Sequence, residues 1–75
     1  MNTTQLECFM EVANFLNFSR AAERLRITQP AVSHQINTLE NELGVKLFHR
    51  TSKSVRLTQE GFLFTQYAGE ILKLS

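Results

Sequence analysis

The stretch Phe18-Ser19-Arg20-Ala21-Ala22-Glu23-Arg24-Leu25-Arg26-Ile27-Thr28-Gln29-Pro30-Ala31-Val32-Ser33-His34-Gln35-Ile36-Asn37 reads as two short helices joined by a tight turn. Ser19 suits the N-cap of a helix over Arg20–Leu25, because its hydroxyl can take a free backbone N–H of the first turn. Ala21 and Ala22 are small enough to let a second helix approach closely. Residues 26–28 interrupt the pattern, and Thr28 then caps a longer helix with Pro30 in its first turn, where a missing N–H costs nothing. Val32, Ile36, Leu39 and Leu43 fall on one face of that helix, and Gly44 follows where a left-handed cap is expected. Its other face carries Gln29, Ser33, His34 and Asn37, polar but not acidic, while Glu40 and Glu42 lie at the far end.

Upstream, residues 4–17 have helical spacing: Leu6, Phe9, Met10, Ala13 and Leu16 recur at threes and fours, widened by Cys8, Val12 and Phe15. Thr4 with Glu7 fits a capping box, and Asn2 is the alternative cap. Downstream, Leu47–Arg50 and Ser54–Leu57 are short segments around Thr51-Ser52-Lys53 and read as a two-stranded hairpin, although no glycine marks its turn. Thr58 caps a last helix that runs to the chain end.

Seventy-five residues make one small domain with a thin core. The single cysteine, Cys8, excludes an intrachain disulfide and reads as a packing residue; with His34 and His49 it has no zinc-site spacing. A reducing cytosol is the natural setting, since no apolar run spans a bilayer and no signal-peptide pattern opens the chain. There is no nucleophile–base pair, carboxylate pair or glycine-rich phosphate loop, so an enzyme is not expected. The net charge of +1 hides an uneven distribution. Residues 46–58 hold Lys46, Arg50, Lys53 and Arg56 with no acidic residue between them. Such a local basic patch meets the electrostatic requirement of a duplex-binding face; a solvated basic loop is the bland alternative.

A helix that reads bases must enter the major groove, the only groove with a full donor and acceptor code. The helix after Thr28 fits, being apolar inside and polar outside at its N-terminal half. Gln29 and Asn37 can bond base edges, adenine best, and Ser33 and His34 can reach a base or phosphate. The Thr51-Ser52-Lys53 loop can reach a phosphate or an adjacent minor groove. Arg50 serves either the DNA backbone or the bracing of the hairpin, and the sequence does not separate the two.

These segments also carry a family likeness. The motifs Phe18 to Leu25, Thr28 to Ser33, Leu39 to Phe48, Arg50-Thr51 and Leu57 to Gly61 occur in order. Together they resemble the N-terminal domain of LysR-type transcriptional regulators, from about Leu6 into the last helix. The resemblance implies a mainly α, winged helix-turn-helix domain over residues 1–58, with the helix-turn-helix at about 18–37 and the wing at about 47–57. Residues 59–75 would be a linker helix for dimerisation. The implied base contacts are Gln29, Pro30, Ser33 and His34, with Asn37 added from its position on the same face. Candidate backbone or minor-groove contacts are Ser19, Arg20, Thr28, Arg50, Thr51, Lys53 and Arg56. The family very often has arginine at the position of His34, so the resemblance implies an altered half-site preference rather than guanine reading by a bidentate fork; the position of Lys53 is often arginine too, and lysine there is a point charge rather than a fork.

The last helix is apolar on more than one face. Phe62, Leu63, Phe64, Tyr67, Ile71 and Leu74 are therefore expected to include a self-association surface. The resemblance implies antiparallel pairing of this helix and a homodimer on an interrupted inverted repeat of double-stranded DNA. It also implies a separate effector-binding domain following this segment, so no cofactor or small-molecule site is expected within it, and a cytoplasmic, nucleoid-associated location. The rival reading is a winged-helix module for protein–protein contact.

Overall fold

The computed structural model describes residues 1–74. In chain order it holds α1 (Thr3–Phe15), α2 (Phe18–Leu25), α3 (Gln29–Leu43), β1 (Phe48–Arg50), β2 (Val55–Leu57) and α4 (Gln59–Leu74). This is the winged helix-turn-helix order expected, three helices and an antiparallel hairpin followed by a further helix.

Two helix starts differ from expectation. Asn2, not Thr4, caps α1: its Oδ1 accepts from the Gln5 N–H at 2.8 Å, and the Gln5 side chain accepts from the Asn2 N–H at 3.0 Å. The reciprocal pair satisfies two otherwise orphaned donors and places the box two residues earlier. Likewise Asn17, not Ser19, caps α2, accepting from the Arg20 N–H at 2.9 Å. Leu16 explains the shift. It adopts the left-handed conformation (φ 49°), donates its N–H to the Val12 carbonyl at 2.7 Å and ends α1 before residue 17, freeing Asn17 to open the next helix. Arg26 is left-handed too (φ 59°) and closes α2, where glycine would avoid the Cβ penalty. Thr28 caps α3 through Ala31 N–H at 3.2 Å, and Gly44 ends it at φ 74°, both as expected.

The core forms where three helices and the hairpin meet. Phe9, Val12, Val32, Ile36, Leu39 and Leu47 are fully buried, and the Phe9 ring lies against Phe48 (5.4 Å) and Phe64 (5.1 Å). Cys8 is buried with them, and that burial, helped by the neighbouring Glu7 carboxylate, pushes its thiol pKa up. Leu43 departs from the expected inward face: it is 37% exposed, because the last turn of α3 overruns the core.

The hairpin pairs Phe48 with Leu57, His49 with Arg56 and Arg50 with Val55. Its turn needs no glycine because Thr51 organises it. Thr51 Oγ1 accepts from the N–H groups of Lys53 (3.2 Å) and Ser54 (3.0 Å), while the Thr51 N–H donates to the Ser54 carbonyl at 2.9 Å. Thr58 caps α4 as expected, accepting from the Gly61 N–H at 2.9 Å and donating to the Lys46 carbonyl at 2.7 Å.

α4 then crosses tightly over the entry to β1. Gly61 is buried in this crossing, Ala68 is buried two turns further along, and Phe64, Ile71 and Leu72 pack on the core. Phe64 and Ile71, expected on the self-association face, thus spend apolar surface on their own domain. Phe62, Leu63, Tyr67 and Leu74 stay exposed. Among the described residues no helix is long and apolar enough to cross a membrane.

Candidate nucleic-acid interface

The outward face of α3 is built by its inward one. Val32, Ile36 and Leu39 are completely buried, so the residues between them are forced outward. Gln29, Pro30, His34 and Asn37 are exposed and Ser33 is half-buried. They form one stripe over the first three turns with no acidic residue in it. Two of them are pre-arranged. Gln29 Nε2 donates to Ser33 Oγ at 2.8 Å, which holds the glutamine along the first turn. Asn37 Oδ1 accepts from Arg50 Nη2 at 2.9 Å, which ties the third turn to the end of β1.

Arg50 is the joint between reading helix and wing. Besides Asn37, its guanidinium stands 3.5 Å from Glu40 Oε1, and its Cζ lies 4.4 Å from the centre of the Phe18 ring. It braces the hairpin, one of the two roles left open by sequence.

Glu40 is the residue that sequence reasoning misplaced. Expected at the outer far end of α3, it is turned inward and 3% exposed. Its Oε2 accepts from the N–H groups of Leu47 (2.7 Å) and Phe48 (3.2 Å), the two donors the chain presents as it bends into β1. Its Oε1 faces Arg50 and, at 3.9 Å, Lys46. A buried carboxylate persists only when paired and hydrogen-bonded, and here both conditions are met. The sequence signal was present, an acidic residue next to Leu39 on the apolar edge, but its partners lie seven and eight residues on. Glu42, by contrast, is at the surface and pairs with the N-terminal ammonium of Met1.

On the other side of the wing a shallow groove is lined by Asn17, Ser19, Thr51, Ser52, Lys53 and Ser54. It brings Ser19, at the start of α2, together with the wing tip, three of the expected backbone contacts in one place. Arg20 and Thr28 are exposed at the starts of α2 and α3, and Arg56 lies on the outer side of β2. Among the described residues Arg20, Lys53 and Arg56 enter no ion pair, unlike Lys46 and Arg50. Of the expected phosphate contacts, the cations without an ion pair are therefore Arg20 at the start of α2 and Lys53 and Arg56 on the wing.

Comparison with known proteins agrees with this architecture. A family model described as bacterial regulatory helix-turn-helix protein, lysR family, matches residues 3–62. A probable RuBisCO transcriptional regulator of Thalassiosira pseudonana is 46% identical over 70 residues, 93% of this chain and 23% of that protein. The HTH-type transcriptional regulator HdfR of Salmonella newport is 46% identical over 72 residues, 96% of this chain and 26% of that protein. The chain thus spans about a quarter of the length of these relatives. Among solved structures, the DNA-binding domain of CbnR in complex with DNA is 39% identical with a TM-score of 0.96, covering 99% of this chain and 85% of that one. The BenM DNA-binding domain on catB site 1 DNA is 42% identical with a TM-score of 0.92, covering 97% and 82%. A family match over most of its length, on a winged helix-turn-helix with the motif residues in their structural places, means that this chain belongs to the lysR family of bacterial regulatory helix-turn-helix proteins.

Proposed function

We propose that the chain binds double-stranded DNA sequence-specifically, as the N-terminal domain of a bacterial LysR-type transcriptional regulator. In this reading α3 enters the major groove and Gln29, Pro30, Ser33, His34 and Asn37 meet base edges. Ser19, Arg20, Thr28, Thr51, Lys53 and Arg56 meet the backbone or the adjacent minor groove, and Arg50 holds the wing in place beside them. The carrying observation is the exposed, non-acidic stripe on α3, backed by a fully buried opposite face and hydrogen-bonded to the wing through Asn37 and Arg50. Relatives solved on DNA, CbnR and BenM, support it. The chain acts by binding rather than by catalysis, in the cytoplasm where the nucleoid lies.

Two copies pair through α4 in this proposal, placing two α3 helices on an interrupted inverted repeat. Phe62, Leu63, Tyr67 and Leu74 support it, since four large apolar side chains left exposed on one helix need covering. Duplex binding measured at 50 and 200 mM salt tests the DNA reading. With six to ten phosphates engaged by the pair, affinity falls about 10³–10⁵-fold between those concentrations. Undetectable duplex binding at the lower salt overturns it and leaves the protein-contact module.

A further inference from the structure

Resting on α3 as the groove-entering helix, we infer that His49 is a further DNA-backbone contact of the wing, forming with Arg56 a phosphate seat that is complete only when the imidazole carries a proton. His49 and Arg56 are directly opposed in the hairpin register. Their side chains therefore share one face, with Cβ atoms about 5 Å apart. Strand alternation fixes which face. Phe48 is buried and Arg50 lies over the Phe18 ring, so His49 between them points outward, and both it and Arg56 are exposed. Neither the imidazole nor the Arg56 guanidinium has a partner among the described residues, and residues 46–58 contain no acidic side chain. A protonated histidine directly opposite an arginine weakens a sheet in isolation, and an anion laid over both relieves the repulsion.

The surroundings of His49 say which anion. With Lys46 and Arg50 it lines a shallow groove whose other wall is Asn37 and Glu40 of α3. Asn37 belongs to the outward stripe of α3, so His49 faces that stripe from the wing side. A duplex that lays its major groove on the stripe and its adjacent minor groove at the Lys53 tip carries the phosphate strand between those grooves across this gap. The charged groups facing His49 are Glu40 from α3, Lys46 from the segment before β1, Arg50 on its own strand and Arg56 on β2. Glu40 is 3% exposed and already taken by Lys46, Arg50 and two backbone N–H groups. Among these side-chain types histidine alone changes charge close to neutral pH, and a phosphate beside it favours the charged form. With that proton in place the wing presents Lys53, Arg56 and His49 to the backbone as unpaired cations, rather than Lys53 and Arg56 alone.

The test compares salt slopes of duplex binding at pH 6 and pH 8, on a duplex that the unaltered protein enriches from a random library at low salt. The unaltered protein, His34→Gln, His49→Gln and His49→Lys are titrated side by side. In His34→Gln, where His49 is the one histidine left, binding should tighten at pH 6 and the slope should steepen by about 1 per engaged copy. His49→Gln should lose that much of the steepening seen in the unaltered protein. His49→Lys, a cation at both pH values, should have the steeper slope at pH 8 as well. Urea midpoints matching the unaltered protein's are expected for both His49 variants, since the side chain is exposed. Equal slopes at the two pH values in His34→Gln overturn the inference and leave the DNA reading intact. So do a His49→Gln that steepens as much as the unaltered protein and a His49→Lys no steeper than it at pH 8. Failure of the unaltered protein to enrich any duplex at low salt, at either pH, overturns the DNA reading itself.

Discussion

Gly61→Ala is a sharp test of how the wing is anchored to α4. In a helix the change to alanine should help by about 1 kcal/mol, because glycine gives up more backbone freedom on folding. The structure reverses the sign. A Cβ at position 61 would stand 2.0 Å from the Leu47 carbonyl oxygen, 3.0 Å from the Leu47 carbonyl carbon and 3.0 Å from Leu57 Cδ2. None of the first two atoms belongs to a flexible side chain. The Leu47 carbonyl accepts from the Thr58 N–H at 3.0 Å, and the Phe48 N–H of the same peptide is bound to Glu40 at 3.2 Å, so this peptide is held at both ends. Helix α4 would have to lift by about an ångström before the methyl reached even the closest real contact distances.

Overpacking of this kind costs about 1–3 kcal/mol, and the strained Thr58–Leu47 bond adds about 1 kcal/mol. Against the helical gain, the net loss is about 1–3 kcal/mol, a drop in Tm of roughly 5–25 °C for a domain of this size. Urea unfolding followed by far-ultraviolet circular dichroism, at one fixed protein concentration, reads it directly. Gly69→Ala is the matched control: a Cβ there meets only Met10 Cε at 3.9 Å, so that variant should be neutral or up to about 1 kcal/mol more stable. If Gly61→Ala unfolds at the same urea concentration as the parent, or higher, the close crossing of α4 over β1 is wrong.

Lys53→Ala should weaken binding to different duplex sequences by a similar factor and lower the salt slope by about 1 per engaged wing, read by titrations at several salt concentrations. A changed base preference with an unchanged slope would exclude a phosphate role. His34→Ala should relax selection at one base pair of each half-site, a cost of about 1–3 kcal/mol at that pair; an unchanged selection profile demotes it to a bystander. Cys8, buried and with its thiol pKa raised, should react slowly with a disulfide reagent at pH 8 until the chain is unfolded in urea. Because the fold binds the thiol proton more tightly than the unfolded chain does, this residue's contribution should fall as pH rises above about 9. Rapid labelling of the folded protein at pH 8 would contradict its burial.

The features read correctly from sequence are those whose cause is local. Thr28 with Pro30, Gly44 and Thr58 each act within a turn of their own position, and each marks the boundary expected of it. The misread starts of α1 and α2 are choices between two competent caps. Asn2 and Thr4, or Asn17 and Ser19, satisfy the same local chemistry. What decides is where the preceding segment stops, and for α2 that is Leu16 in a left-handed conformation, an unusual state for leucine that no propensity favours. The division of α4 into a self-facing and an outward face failed in part for a similar reason. Phe64 is claimed by Phe9, a partner 55 residues earlier, while Phe62 and Leu63 have none of comparable depth.

The basic patch shows why counting charges is a weaker guide than following them. Four cations within residues 46–58 suggest four phosphate ligands, yet Lys46 and Arg50 face the buried Glu40 carboxylate. Only Lys53 and Arg56 remain unpaired on the wing. If salt dependence follows the phosphates neutralised, the wing of each copy should contribute a slope of about 2 rather than 4. The other two charges do a different job. Desolvating Glu40 would be costly without Arg50 and the two N–H groups of β1, and removing any of these partners would leave a buried carboxylate short of compensation. The same contacts fasten the first strand to α3. The wing is therefore a rigid extension of α3, held in place through the buried Glu40 carboxylate.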